Sequence, residues 1–107
     1  MAPITDRDIE RVRELISSIP AGRVATYGDI AAAATLSSAR MVGWILRTDG
    51  ADLPWHRVIR VSGRPSDHLR TEQLARLRSE GVLAVAGRVD LAAVRHRFSS
   101  RRPERGP

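Results

Sequence analysis

ATYGDIAAAATLSSARMVGWILR, residues 25–47, is the stretch whose reading decides the fold. Thr26 can cap a helix, and Asp29 stands three positions on in capping-box register. That helix is expected to run through Ile30 and the alanines to about Ala34. After the break at Thr35-Leu36, Ser37 or Ser38 can cap a second helix. The spacing predicts this helix from about Ala39 to Arg47, with Val42, Ile45 and Leu46 turned inward and Asp49-Gly50 as its end. Two short helices joined by a turn of about four residues make a helix-turn-helix pattern. Ala32, Ala33 and Ala34 suit the close approach such a pair requires. Arg40 falls in the first turn of the second helix, exposed beside the positive end of its dipole. Trp44 is expected in the core.

Upstream, Thr5 with Asp6 and Asp8 reads as a helix start. Ile9, Val12, Leu15, Ile16 and Ile19 recur at helical spacing, and Pro20 ends the run. Arg7, Glu10, Arg11, Arg13 and Glu14 form the opposite, solvated face, so this is a packing helix. Downstream, LPWHRVIR (53–60) places Trp55 and His56 just before a strand-like run. Ser62-Gly63 and Arg64-Pro65 make a turn-rich loop. A helix is expected from about Thr71 to Glu80, burying Leu74 and Leu77 and stopping at Gly81. VLAVAGRVDL (82–91) reads as a hairpin or a loop around Gly87. From Arg95 onward the chain is RHRFSSRRPERGP, five arginines against one glutamate. That composition predicts a disordered, arginine-rich tail over 95–107 behind a domain spanning 1–94.

With 107 residues there is room for one compact domain. No apolar run approaches the ~20 residues of a membrane span, and no secretory apolar core is evident. A soluble, cytoplasmic protein is expected. The chain has no cysteine, which excludes disulfides, thiolate metal sites and a thiol nucleophile. His56, His68 and His96 lack metal-ligand spacing, so neither a metal nor another cofactor is expected. The net charge is +6, and all 18 basic residues are arginine. Such a surface attracts polyanions, and arginine forks suit phosphate oxygens and base edges.

The order IPAGRVATYGDIA, SSARMVGWILR, LPWHRVI and SEGV resembles the DNA-binding domain of the O6-alkylguanine-DNA alkyltransferases over roughly residues 8 to 85. In that family a Pro-Cys-His-Arg-Val motif carries the cysteine that accepts the alkyl group. Here the motif is Pro54-Trp55-His56-Arg57-Val58. Tryptophan at the cysteine position, without a separate N-terminal domain, resembles the alkyltransferase-like branch. The resemblance implies a mainly α, winged-helix-like domain. It implies further that Tyr27 meets a phosphate beside the lesion and helps rotate the nucleotide out. Arg40 would fill the gap in the base stack, and Met41 and Gly43 would lie close to the minor groove. Trp55 would wall the lesion pocket beside His56, with Arg64 or Arg70 from the following loop. Glu80 would be linked through water to His56. Asp49 departs from an asparagine that supports the active-site turn in the enzymes.

Read from the residues alone, Trp55 would be core, His56 would hold the loop, and Glu80 would end a helix. Taken with the resemblance, the chain is expected to be a monomeric, non-enzymatic sensor. It would bind duplex DNA containing O6-alkylguanine, flip the base, and direct the lesion to nucleotide excision repair proteins. It would work in the cytoplasm, at the nucleoid when bound. A different class, a small helix-turn-helix transcription regulator of undamaged DNA, calls for a preferred sequence and a dimer. Histidine-assisted hydrolysis of the lesion is a third reading, and the missing thiol excludes the usual transfer route.

Overall fold

The computed structural model describes residues 3–98. The first helix, α1 (Asp6–Ser17), begins at a full capping box. The Thr5 hydroxyl accepts from the Asp8 N–H at 3.1 Å, and the Asp8 carboxylate accepts from the Thr5 N–H at 3.0 Å. The same device starts α2 (Tyr27–Ala33), where Thr26 and Asp29 exchange two bonds of 3.0 Å. Of the two candidate serines, Ser38 caps α3 (Ala39–Asp49), accepting from the Arg40 N–H at 3.0 Å. Helices α2 and α3 pack as the expected helix-turn-helix. Thr35 takes a left-handed φ of 59° in the turn between them, and the Leu36 N–H reaches back to the Ala31 carbonyl at 2.8 Å.

Two elements too short to show a period in the sequence join the halves of the domain. β1 (Ala25–Thr26) and β2 (Val58–Ile59) pair in parallel, with Ala25 opposite Val58 and Thr26 opposite Ile59. Successive strand residues face opposite ways, and this alternation divides the core. Ala25 and Val58 join Val12, Leu15, Ile16, Ile19, Ile30, Val42 and Ile45 on the helix-turn-helix side. Val24 and Ile59 join Leu77, Val82 and Val89 on the other. That second side is built from α4 (Arg70–Ser79), the antiparallel hairpin β3 (Ala84–Val85) and β4 (Arg88–Val89), and the short α5 (Leu91–Val94). The segment read as a hairpin or a loop is thus a hairpin. Ala86 and Gly87, with φ of 55° and 75°, give its two-residue turn the twist that antiparallel strands need. The domain is the mainly α, winged-helix-like fold expected.

Trp44 is not in the core. It is 44% exposed, whereas Val42 and Ile45 are fully buried. Two positions along a helix turn a side chain through about 200°, so burying Val42 sends Trp44 to the far side. The composition-based boundary at Arg95 does not coincide with a break in packing. The Val24 N–H donates to the Val94 carbonyl at 3.0 Å, and the His96 N–H donates to the Val24 carbonyl at 2.7 Å. Arg95 forks onto the Asp29 carboxylate at 3.0 and 2.9 Å. Phe98 packs on the helix-turn-helix core and meets the His96 ring edge-on at 4.8 Å. The rest of the expected tail, 99–107, lies outside the described residues.

Two glycines give a test of how the wing is held. At Gly63 (φ +82°) a Cβ would sit 2.5 Å from the Val89 carbonyl oxygen, while at Gly81 (φ +88°) it would meet nothing within 4 Å. Gly81→Ala should cost only backbone strain, about 1–2 kcal/mol. Gly63→Ala should cost roughly 3 kcal/mol or more, because strain and collision add. Urea denaturation of the two variants measures the difference, and equal losses would contradict the packing of this turn against β4.

Candidate functional site

The expected site residues fall into three groups. The first lies on the helix-turn-helix. Tyr27, half-buried as the first residue of α2, lays its ring toward α3, and a Cβ on Gly43 would be 4.0 Å from its Cε1 atom. Tyr27 and Gly43 are thus neighbours across the α2–α3 pair. Arg40 is exposed in the first turn of α3 and forms no ion pair among the described residues. Met41, one step on, is partly buried, and its sulfur accepts from the Ser37 hydroxyl at 3.7 Å. A phenol, a free guanidinium and a bare backbone position thus share the α2–α3 face.

The second group is the 3-10 turn Trp55–Arg57 that follows Pro54. Its backbone is pinned from several sides. The Trp55 N–H donates to the Leu53 carbonyl at 2.7 Å, and the Arg57 N–H to the Pro54 carbonyl at 3.0 Å. Buried Gln73 on α4 donates from its amide nitrogen to the His56 carbonyl at 3.0 Å and to the Val58 carbonyl at 2.8 Å. The approach to the turn is held by Arg13 of α1. Its guanidinium donates to the Asp49 carbonyl at 2.6 Å and to both Asp52 carboxylate oxygens at 3.1 and 2.6 Å. Asp49, the departure noted in the sequence, thus belongs to a clamp on the chain entering the turn.

Inside this frame Glu80 gathers donors from three residues. The carboxylate takes the His56 Nε2 at 2.8 Å, the Arg57 Nη2 at 2.7 Å and Nε at 3.1 Å, and the Gly22 N–H at 3.1 Å. Arg57 also donates to the Ile19 carbonyl at 2.9 Å. The link between His56 and Glu80 is therefore direct, not through water as the resemblance implied, because 2.8 Å leaves no space for a bridging molecule. Burial pushes the Glu80 carboxyl up, but donation from Arg57, then from His56 and the Gly22 amide, outweighs it and holds the group at about 2. An ionised Glu80 requires the His56 proton on Nε2. Nδ1, the other ring nitrogen, is buried without a hydrogen-bond partner among the described residues.

Trp55 stands beside this network, partly exposed, its ring edge-on to His56 with centroids 6.2 Å apart. The Arg76 guanidinium lies 5.2 Å from the indole centroid, held by Glu72 one helical turn back at 2.7 Å. The Arg76 guanidinium thus covers one face of the indole.

Arg64 and Arg70 form the third group. Both point at the hairpin turn. From the place a Cβ would occupy on Gly87, Arg64 Nη1 is 3.6 Å away and Arg70 Nη2 is 3.9 Å away. Neither hydrogen-bonds to Trp55, His56 or Glu80 among the described residues. Of the residues expected at the lesion pocket, Trp55 and His56 stand side by side, while Arg64 and Arg70 converge on the hairpin turn. The sequence reading missed Gln73, Arg13 and Arg76 as supports. Each acts across long chain separations or from a helix face, and only the fold shows the pairing. Among the described residues no three histidine or carboxylate side chains converge to hold a metal.

Residues 9–82 match the family model for the 6-O-methylguanine DNA methyltransferase DNA-binding domain. A DNA base-flipping protein of Escherichia coli is 35% identical over 95 residues, an alignment covering 83% of this chain and 74% of that protein. Among solved structures, S. pombe Atl1 in complex with damaged DNA containing O6-carboxymethylguanine superposes with a TM-score of 0.75 at 29% identity. That match covers 88% of this chain and 98% of Atl1. The Mycobacterium tuberculosis O6-methylguanine methyltransferase aligns at TM-score 0.62 and 31% identity, with 83% of this chain matched to 55% of the enzyme.

The depressed Glu80 carboxyl sets a pH dependence. Its stabilisation is complete above the ordinary carboxyl value of 4.5 and is lost as the pH falls toward about 2. Glu80→Gln should cost roughly 2–4 kcal/mol at neutral pH, since it leaves partly buried Arg57 without its counter-charge. Between pH 4.5 and 2 the variant should lose stability less steeply than the parent protein. Denaturation midpoints collected across this range check both, and parallel pH curves would contradict the role given to the carboxylate.

Proposed function

The chain belongs to the 6-O-methylguanine DNA methyltransferase DNA-binding-domain family, and from that premise we propose that it recognises O6-alkylguanine in duplex DNA without repairing it. Rotating a base out of the stack costs a few kcal/mol, less where the lesion already pairs poorly. Arg40, free and projecting from the start of α3, fills the vacated space. Tyr27, beside Gly43 on α3, presses on the backbone next to the lesion. The rotated purine stacks on the indole of Trp55, which contributes ~1–3 kcal/mol. The bound complex then hands the lesion to nucleotide excision repair proteins, and the protein acts as a monomer at the nucleoid.

One observation carries this reading. The frame of a reactive turn is built around Glu80, His56, Arg57 and Gln73, and an indole stands where a thiol would have to be. Displacement at an alkyl carbon needs a strong, polarisable nucleophile such as a thiolate. The indole nitrogen donates a hydrogen bond but has no lone pair for the task, and the chain contains no cysteine. The surface that holds the base therefore leaves its alkyl group in place.

The test is equilibrium binding to matched duplexes carrying guanine or O6-methylguanine, at one stated salt concentration. The parent protein should prefer the lesion. Arg40→Ala should weaken binding to both duplexes, whereas Trp55→Ala should cut the preference by about tenfold, the worth of one stacked base. A Trp55→Ala variant that keeps the whole preference would show that the wall lies elsewhere.

A further inference from the structure

We propose that Arg64 and Arg70, together with the β3–β4 turn, form a phosphate site that grips the DNA backbone and take no part in the lesion pocket. This rests on reading the chain as a duplex-DNA binder, but not on any preference for damage. Three observations meet at one place. First, the two guanidiniums converge: both come within 4 Å of the same point at Gly87. Two cations inside one Debye length, about 10 Å at 0.1 M salt, repel each other without full screening. An anion between them removes that cost.

Second, no carboxylate does so. Arg11, Arg13, Arg57, Arg76 and Arg95 each form an ion pair, while Arg64 and Arg70 form none among the described residues. Arg88, whose Cγ would lie 2.9 Å from a Cβ on Gly63, adds a third cation to the hairpin and is also without an ion pair among those residues. Third, the scaffold is fixed before any ligand arrives. The Val89 N–H donates to the Gly63 carbonyl at 2.8 Å, stitching the hairpin to the loop that carries Arg64. The Ala86-Gly87 turn holds its own left-handed geometry.

The chemistry selects the ligand. A methylated guanine is neutral and offers two guanidiniums no counter-charge, whereas a phosphate presents several acceptor oxygens to paired arginine forks. The net charge of +6 favours the polyanion as a whole. The wing and the helix-turn-helix would then hold the duplex at two separate places, with the turn 55–57 between them in the chain.

The experiment is a salt titration of the full chain and of the double variant Arg64→Ala/Arg70→Ala. Each protein is titrated against an undamaged duplex and the same duplex with one O6-methylguanine. Each phosphate contact on B-DNA contributes about 0.9 to the slope of log affinity against log salt. The variant should lose about two units of slope, and at least tenfold in affinity near 0.1 M salt, equally on both duplexes. The ratio between duplexes should not change. The Arg64→Lys/Arg70→Lys variant, which keeps both charges, should retain the slope. An unchanged slope with loss confined to the lesion duplex would return these arginines to the pocket and overturn the proposal. An unaffected alanine variant, or a lysine variant that loses as much slope as the alanine one, would overturn it as well. Because the undamaged duplex alone reads the slope, equal affinities for the two duplexes in the parent protein would defeat the lesion reading and leave this test intact.

Discussion

The carboxylate of Glu80 ties together parts of the chain that lie far apart in the sequence. It sits just past the end of α4 and receives the turn residues His56 and Arg57 and the amide of Gly22. Through Arg57 it reaches the carbonyl of Ile19 beyond α1. One ionised group thus fixes the 3-10 turn against both halves of a divided core. A partly buried carboxylate is costly unless its lone pairs are filled, and here charged and backbone donors fill them. The position of Trp55 follows from that arrangement, because the residue before His56 has little freedom once the histidine ring and its carbonyl are both held.

That constraint explains how an indole can stand at this place without loss of the fold. The supports of the turn act on its backbone and on its neighbours: Gln73 on two carbonyls, Glu80 on His56 and Arg57, Arg13 on the approach. None of them depends on the side chain at 55. A nucleophile can therefore be exchanged for a flat ring while the frame persists. What changes is the chemistry, since a base can stack on the ring but cannot pass it an alkyl group. The partnerless Nδ1 of His56 is consistent with that change. It is buried beside the indole, and the chain has no thiol for it to face.

Much of the helix-turn-helix was legible because its signals are local. Both capping boxes occupy four consecutive residues, and the apolar spacing of α1 and α3 needs no knowledge of partners. Trp44 shows the limit of that reading, because the size of a side chain suggested burial where helical phase sends it outward. The pair β1–β2 was hidden, since two-residue strands have no period to detect. The site was legible only through the resemblance around Trp55. The links that build it, His56 to Glu80 and Arg13 to Asp52, span 24 and 39 positions. Neither pairing follows from composition or spacing. The same holds for Arg95, which looked like tail by composition and is a partner of Asp29 in the fold.

The central claim is that Trp55 holds the lesion base by stacking and leaves it chemically unchanged. The chain has two tryptophans, and Trp44 is exposed on α3, so Trp44→Phe leaves Trp55 as the sole indole emitter. Its fluorescence can be followed while a duplex containing one O6-methylguanine is added, and the duplex recovered afterwards for base composition. Stacking predicts quenching that saturates at one protein per lesion, much weaker quenching by the guanine duplex, and full recovery of the methyl group. Equal quenching by both duplexes, or loss of the methyl group, would contradict the account.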